Sequence, residues 1–162
     1  MTAIALANGL GVLVNPGSSN AMGLTPQVYL KKVSRPAHHN PLLLPEHTAK
    51  RDIQRLATLE EDWDGFGSDK PRNEAISHAI AALPALIAMA EKTGGWSLPH
   101  VVANEVGEVV LEWWKGGKKL TLFVQDERID FLRTWGERID SDMEDGILEP
   151  GEFAALWTWL NV

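Results

Sequence analysis

A chain of 162 residues, 44% hydrophobic and 23% charged, has the composition of one soluble globular domain with a real core and room for an appendage. With no cysteine it has no disulfide framework, no thiolate nucleophile and no cysteine-based zinc or iron–sulfur site, which suits a reducing, cytoplasmic setting. The net charge of −7 is unevenly spread: no acid precedes Glu46 while Lys31, Lys32 and Arg35 are basic, so the remainder carries −10 and disfavours direct contact with a nucleic-acid backbone.

The apolar run over residues 3–14 is interrupted by Asn8, Gly9 and Gly11. It is too short to span a bilayer and lacks the basic residues of a secretory signal, so neither export nor membrane insertion is expected. Residues 15–20 form a turn cluster, and residues 27–33 read as a short strand bounded by Pro26 and Pro36. The proline-rich stretch that follows is incompatible with a helix. Residues 1–45 are therefore expected to form an extended or flexible N-terminal arm, with residues 46–162 a single α+β domain. Adjacent His38 and His39 point in opposite directions on an extended chain, so no metal site is expected there.

In residues 47–61, Ile53, Leu56 and Leu59 recur at three-residue steps, the mark of an amphipathic helix leading to Trp63. Asp62-Trp63-Asp64-Gly65-Phe66-Gly67 comes next. Two glycines allow positive φ, so a sharp reversal is predicted, with Trp63 and Phe66 folding back onto the neighbouring helices. Trp63, Gly65, Phe66 and Gly67 are thus expected to be a structural knot, and Asp64 its acid available for binding.

Pro71 marks the next helix start and Asn73 is a good N-cap. Ile76, Ile80, Leu83 and Ile87 trace its buried face to about residue 91, and Pro84 should bend or break it. His78 falls off that stripe and is expected to be solvated. Gly94 and Gly95 close the helix, after which the apolar period becomes alternating. Val101 and Val102, then residues 108–114, 119–124 and 129–134, read as strands separated by turns at 104–107, 115–118 and 126–127. Phe153, Leu156, Trp157 and Leu160 form the stripe of a terminal helix. The fold expected is α+β: two N-terminal helices, a three- to four-stranded antiparallel sheet, and a C-terminal helix packed on one face.

Residues 140–152 invite comparison with a calcium loop, since Asp140, Asp142 and Glu144 alternate. The glycine and the closing acid each arrive one position late, so the run reads as an acidic turn whose Glu149 and Glu152 favour the N-terminal end of the last helix. No Gly-x-Ser-x-Gly elbow, His-Glu-x-x-His pair or phosphate-cradling glycine loop is present. No cofactor or metal is expected, and no catalytic residue is assigned.

The combination of Trp63-Asp64-Gly65-Phe66-Gly67, Pro71 and Leu111-Glu112-Trp113 resembles a widespread group of short bacterial and phage proteins with a Trp-Asp-Gly-aromatic-Gly knot and a hairpin carrying Leu-Glu-Trp. The likeness covers roughly residues 50–135 and implies the fold, not a chemistry. In size and acidity the chain is also similar to phage-encoded inhibitors of bacterial defence, including anti-CRISPR proteins.

The function expected is that of a non-enzymatic acidic protein-binding module, an inhibitor of a nucleic-acid-handling bacterial defence complex. Its partner would be a basic protein or a subunit of that complex, met by Asp64, Glu112, Trp114, Asp140, Asp142, Glu144 and Asp145. Two alternatives stand beside it. One is a carboxylate-based, metal-dependent hydrolase built from Asp62, Asp64 and Glu112. The other is an antitoxin-like partner that holds a toxin with the N-terminal arm.

Overall fold

A computed structural model describes residues 45–138 and 140–162, all of which belong to the unit Ala37–Val162. The expected arm, its strand and the His38 and His39 pair lie outside the described residues, except that Pro45 opens the first helix.

Helix α1, Pro45–Arg55, starts with a proline whose missing N–H is no loss in a first turn, and it places Glu46 and Arg55 at the ends their charges favour. Ala49 and Ile53, one helical turn apart, are its buried residues. The chain then tightens into a 3-10 turn, Leu56–Thr58, closed by the Leu59 amide on the Leu56 carbonyl at 3.0 Å. The helix expected to reach residue 61 therefore ends early.

Helix α2, Asn73–Thr93, has Arg72 in the extended N-cap position, so Asn73 is its first helical residue and not the cap. It runs through Pro84 without a break, with the proline ring on the exposed side. Its buried residues are Ala75, Ile76, Ala79, Leu83, Leu86 and Ala90, while Ile80 and Ile87 are only half-buried. His78 is not solvated as expected: its Nδ1 lies 2.7 Å from the Gln125 carbonyl, tying α2 to a sheet turn. By length and composition alone α2 could cross a bilayer, but its stripe is built into the hydrophobic core.

The sheet has five strands, not three or four: β1 His100–Ala103, β2 Val109–Lys115, β3 Lys118–Val124, β4 Ile129–Thr134 and β5 Met143–Ile147. They lie in chain order with every neighbouring pair antiparallel. The additional strand is the acidic run expected to be a turn. Glu144, Asp145 and Gly146 are poor strand formers, but β5 is an edge, where charge blunts further pairing. Gly146 sits opposite Phe131, whose ring covers the glycine.

Alternation sends Ala103, Val109, Leu111, Trp113, Leu120, Leu122, Val124 and Phe131 to the face that carries the helices. Helix α3, Glu152–Asn161, adds Phe153, Leu156, Trp157 and Leu160 to the same core. Its start is reciprocally bonded, with the Glu149 amide on the Glu152 carboxylate at 3.0 Å and the Glu152 amide on the Glu149 carbonyl at 3.0 Å. At the centre Trp157 lies 5.5 Å from Trp113, 5.8 Å from Trp96 and 5.4 Å from Phe153 between ring centroids. The indole N–H groups of Trp157 and Trp113 donate to the carbonyls of Gly95 and Ser97, at 3.0 and 2.9 Å, so both rings are buried with their polar ends satisfied.

Candidate binding surface at the Asp62 to Gly67 loop

The loop between α1 and α2 is held together from within by its acids. Asp62 adopts φ 59°, a left-handed conformation that aspartate tolerates better than most residues, and Gly65 and Gly67 follow at 78° and 87°. The Asp62 side chain accepts the Gly67 amide at 2.7 Å, and the Asp62 amide donates to the Ser68 carbonyl at 2.8 Å. Asp64 accepts the Phe66 amide at 2.9 Å, the Ser68 hydroxyl at 2.6 Å and, more weakly, the Ser68 amide at 3.4 Å. The Ser68 hydroxyl and then the Phe66 amide hold the Asp64 carboxyl below its ordinary pKa.

The loop is anchored to the turn between β1 and β2. Asp69 donates its amide to the Glu105 carbonyl at 2.9 Å and Arg72 to the Gly107 carbonyl at 3.0 Å. Gly107 has φ 75°, and a Cβ there would meet the Lys70 carbonyl oxygen at 2.7 Å, so the turn accepts the loop only because residue 107 has no side chain.

This arrangement reverses the expected role of the aromatics. Phe66 is 92% exposed and Trp63 37% exposed, so neither locks the helices to the sheet. Side-chain acceptors and positive-φ glycines define the loop, leaving Phe66 at its tip with no core to enter. Half-exposed Val106 lies in the anchoring turn, and Glu60, Glu61, Asp62, Asp69 and Glu105 make this end predominantly acidic, with the Lys70 ammonium paired to Glu60 at 3.1 Å. Asp64 is spent on the loop itself.

The other expected site residues are dispersed. Glu112 lies across the sheet from the helices, three rungs along β2 from Val109, with His100 Nδ1 at 3.2 Å and the Lys119 ammonium bound to its second oxygen. Partial burial pushes its carboxyl up, but hydrogen bonds from Lys119 and His100 outweigh that and hold it below its ordinary pKa. Trp114, exposed beside this group, has the Lys119 ammonium 5.1 Å from its ring centroid. Asp62 and Asp64 make their contacts within the loop while Glu112 makes its own with His100 and Lys119, so the three carboxylates do not share hydrogen-bond partners.

In the acidic run, Asp142 accepts the Arg138 guanidinium at 3.1 Å and the Ser141 hydroxyl at 2.9 Å, and these bonds, Arg138 first, lower its pKa. Glu144 is paired with Arg133 at 2.6 Å. Asp140 and Asp145 are exposed and have no ion pair among the described residues. Strand pairing sends Glu144 and Asp145 to opposite faces of β5. Among the described residues no group of three or more histidine or carboxylate side chains is placed to hold a metal ion.

No protein-family model matches the chain, nor does a curated protein or a solved structure. The reading of this surface therefore rests on its own geometry. Sequence reasoning missed the outward Phe66, although its signal was present: in a segment whose acids can accept the loop's own amides, the turn holds its shape without burying an aromatic.

Proposed function

We propose that this chain is a non-enzymatic protein-binding module whose partner presents a basic surface with an apolar recess for Phe66. The observation that carries the reading is a phenylalanine 92% exposed at the tip of a loop made rigid by its own hydrogen bonds. An aromatic on an ordered backbone gives large contact area at a reduced ordering cost on binding, and such side chains are where interfaces concentrate their energy. The surrounding acids would steer and select a basic protein. Proteins that handle nucleic acids carry such surfaces, and with the −10 charge beyond the N-terminal segment this supports the finer reading: a cytoplasmic inhibitor of a nucleic-acid-handling defence complex.

The test compares the native chain with Phe66→Ser and with the double charge reversal Glu61→Lys/Asp69→Lys, using immobilised protein and candidate basic subunits. Truncating a hot-spot aromatic costs about 2 kcal/mol or more, roughly thirtyfold in Kd. Charge reversal should slow association and flatten its salt dependence. A partner retained equally by Phe66→Ser would sink the reading.

A further inference from the structure

On the helix-bearing face of the sheet, beside the last turn of α3, lies a cleft of about 670 Å³ lined by Gly117, Lys118, Arg133, Trp135, Glu144 and Trp159. Its volume is that of small-molecule sites, which run roughly 300–1,000 Å³. Two indoles meet in it nearly edge to face, with ring centroids 6.1 Å apart and planes at 74°. The Arg133 guanidinium lies 5.2 Å from the Trp159 ring and 5.9 Å from that of Trp135, and the Lys118 ammonium lies 5.2 Å from Trp159. Lys118 also donates to the Trp159 carbonyl at 2.8 Å, and Arg133 to Glu144 at 2.6 Å.

We propose that this cleft binds a planar aromatic small molecule carrying an anionic group, a carboxylate or a phosphate. Two observations select that chemistry. The protein's own cations, Arg133 and Lys118, already lie over the indoles, so the place a ligand cation would take is filled and a second cation would be repelled. Lys118 and Arg133 outnumber Glu144, so the lining carries a net positive charge in a chain of net charge −7. Trp135, 39% exposed, offers an indole surface for a flat ring to stack on. An anionic substituent on that ring falls within reach of donors suited to carboxylate or phosphate. Glu144 opposes the anion and holds one guanidinium nitrogen, which limits affinity and supplies a control. The site is separate from the Phe66 surface, and its occupancy does not depend on a protein partner.

The experiment is calorimetric titration of the full chain with adenosine monophosphate and indole-3-acetate. Adenosine, indole and tryptamine serve as the neutral and cationic counterparts, and indole N–H NMR signals report where each binds. One or both anionic probes should bind, shifting the Trp135 and Trp159 signals. The matching neutral compound should bind at least roughly tenfold more weakly, the scale of one charge-assisted contact. Trp135→Leu, at an exposed position, should weaken binding roughly thirtyfold, the middle of the range for base–aromatic stacking. Glu144→Gln should strengthen it. Which anionic probe binds more tightly separates a nucleotide-like from a carboxylate ligand. The proposal is overturned if neither anion binds, if neutral or cationic probes bind as well, if Glu144→Gln weakens the anion, or if folded Trp135→Leu and Arg133→Gln both bind normally.

Discussion

Replacing Gly146 with alanine tests the edge of the sheet most directly. A Cβ at that position would lie 3.0 Å from Cε1 and 3.2 Å from Cζ of Phe131, closer than ordinary van der Waals contact. Phe131 is buried, pairs across β3 with Leu122 in the core and covers Gly146 on its other side, so its ring can yield only by pushing into packed neighbours. Overpacking of this kind costs about 1–3 kcal/mol. Gly146 is not in the positive-φ region, so alanine also restricts the unfolded chain and recovers about 0.4–1 kcal/mol. The net expectation is a loss of roughly 1 kcal/mol, read as a lower urea midpoint at unchanged slope. Phe131→Leu should cost more alone, through lost volume, but in its presence Gly146→Ala should be neutral or stabilising, giving a coupling of about 1 kcal/mol in a double-mutant cycle. Equal destabilisation by Gly146→Ala with and without Phe131 would refute the assignment of the clash.

Gly107→Ala should destabilise by more than about 1 kcal/mol, because both its φ of 75° and the Lys70 carbonyl at 2.7 Å exclude a side chain; chemical denaturation checks it. Trp157→Ala should cost about 3–5 kcal/mol, since the ring is fully buried among Trp96, Trp113 and Phe153, and thermal unfolding would register a large drop in Tm. Phe66→Ser should leave stability within about 0.5 kcal/mol of the parent, as expected of a surface side chain. Asp64, Glu112 and Asp142 all have depressed folded pKa values, so the stability they supply is complete above their ordinary values of 3.8, 4.5 and 3.8 and is lost as pH falls through the lower folded ones. Denaturation midpoints across an acid series should therefore fall below the ordinary carboxylate range, and Glu112→Gln should flatten part of that decline.

The sheet meander was legible where side chains alternate. Val109, Leu111 and Trp113 face the core opposite Val110, Glu112 and Trp114, of which only Val110 is buried, and the turn at residues 115–118 joins two such runs. The strand β5 was hidden because its pairing depends on what lies opposite: Gly146 is acceptable there only because Phe131 fills the space above it. On α2 the expected stripe of Ile76, Ile80, Leu83 and Ile87 was half right: Ile76 and Leu83 are buried, but packing buries Ala75, Ala79, Leu86 and Ala90 beside them and leaves Ile80 and Ile87 half-buried.

The Asp62 to Gly67 loop shows how one set of residue types can serve opposite designs. Aromatics beside glycines and acids suit a buried corner, in which the rings provide the stability and the acids stay in water. Here the acids provide it: Asp62 and Asp64 accept backbone amides and the Ser68 hydroxyl, so the loop holds its shape without hydrophobic burial of Phe66. What distinguishes the designs is the two-residue spacing from Asp64 to Phe66 and the five-residue spacing from Asp62 to Gly67, which let each carboxylate reach an amide of its own loop. An aromatic released from structural duty leaves apolar surface in water at roughly 25 cal/mol for each Å². That cost, at a predominantly acidic end of the molecule, is the physical ground of the proposal that a partner covers Phe66.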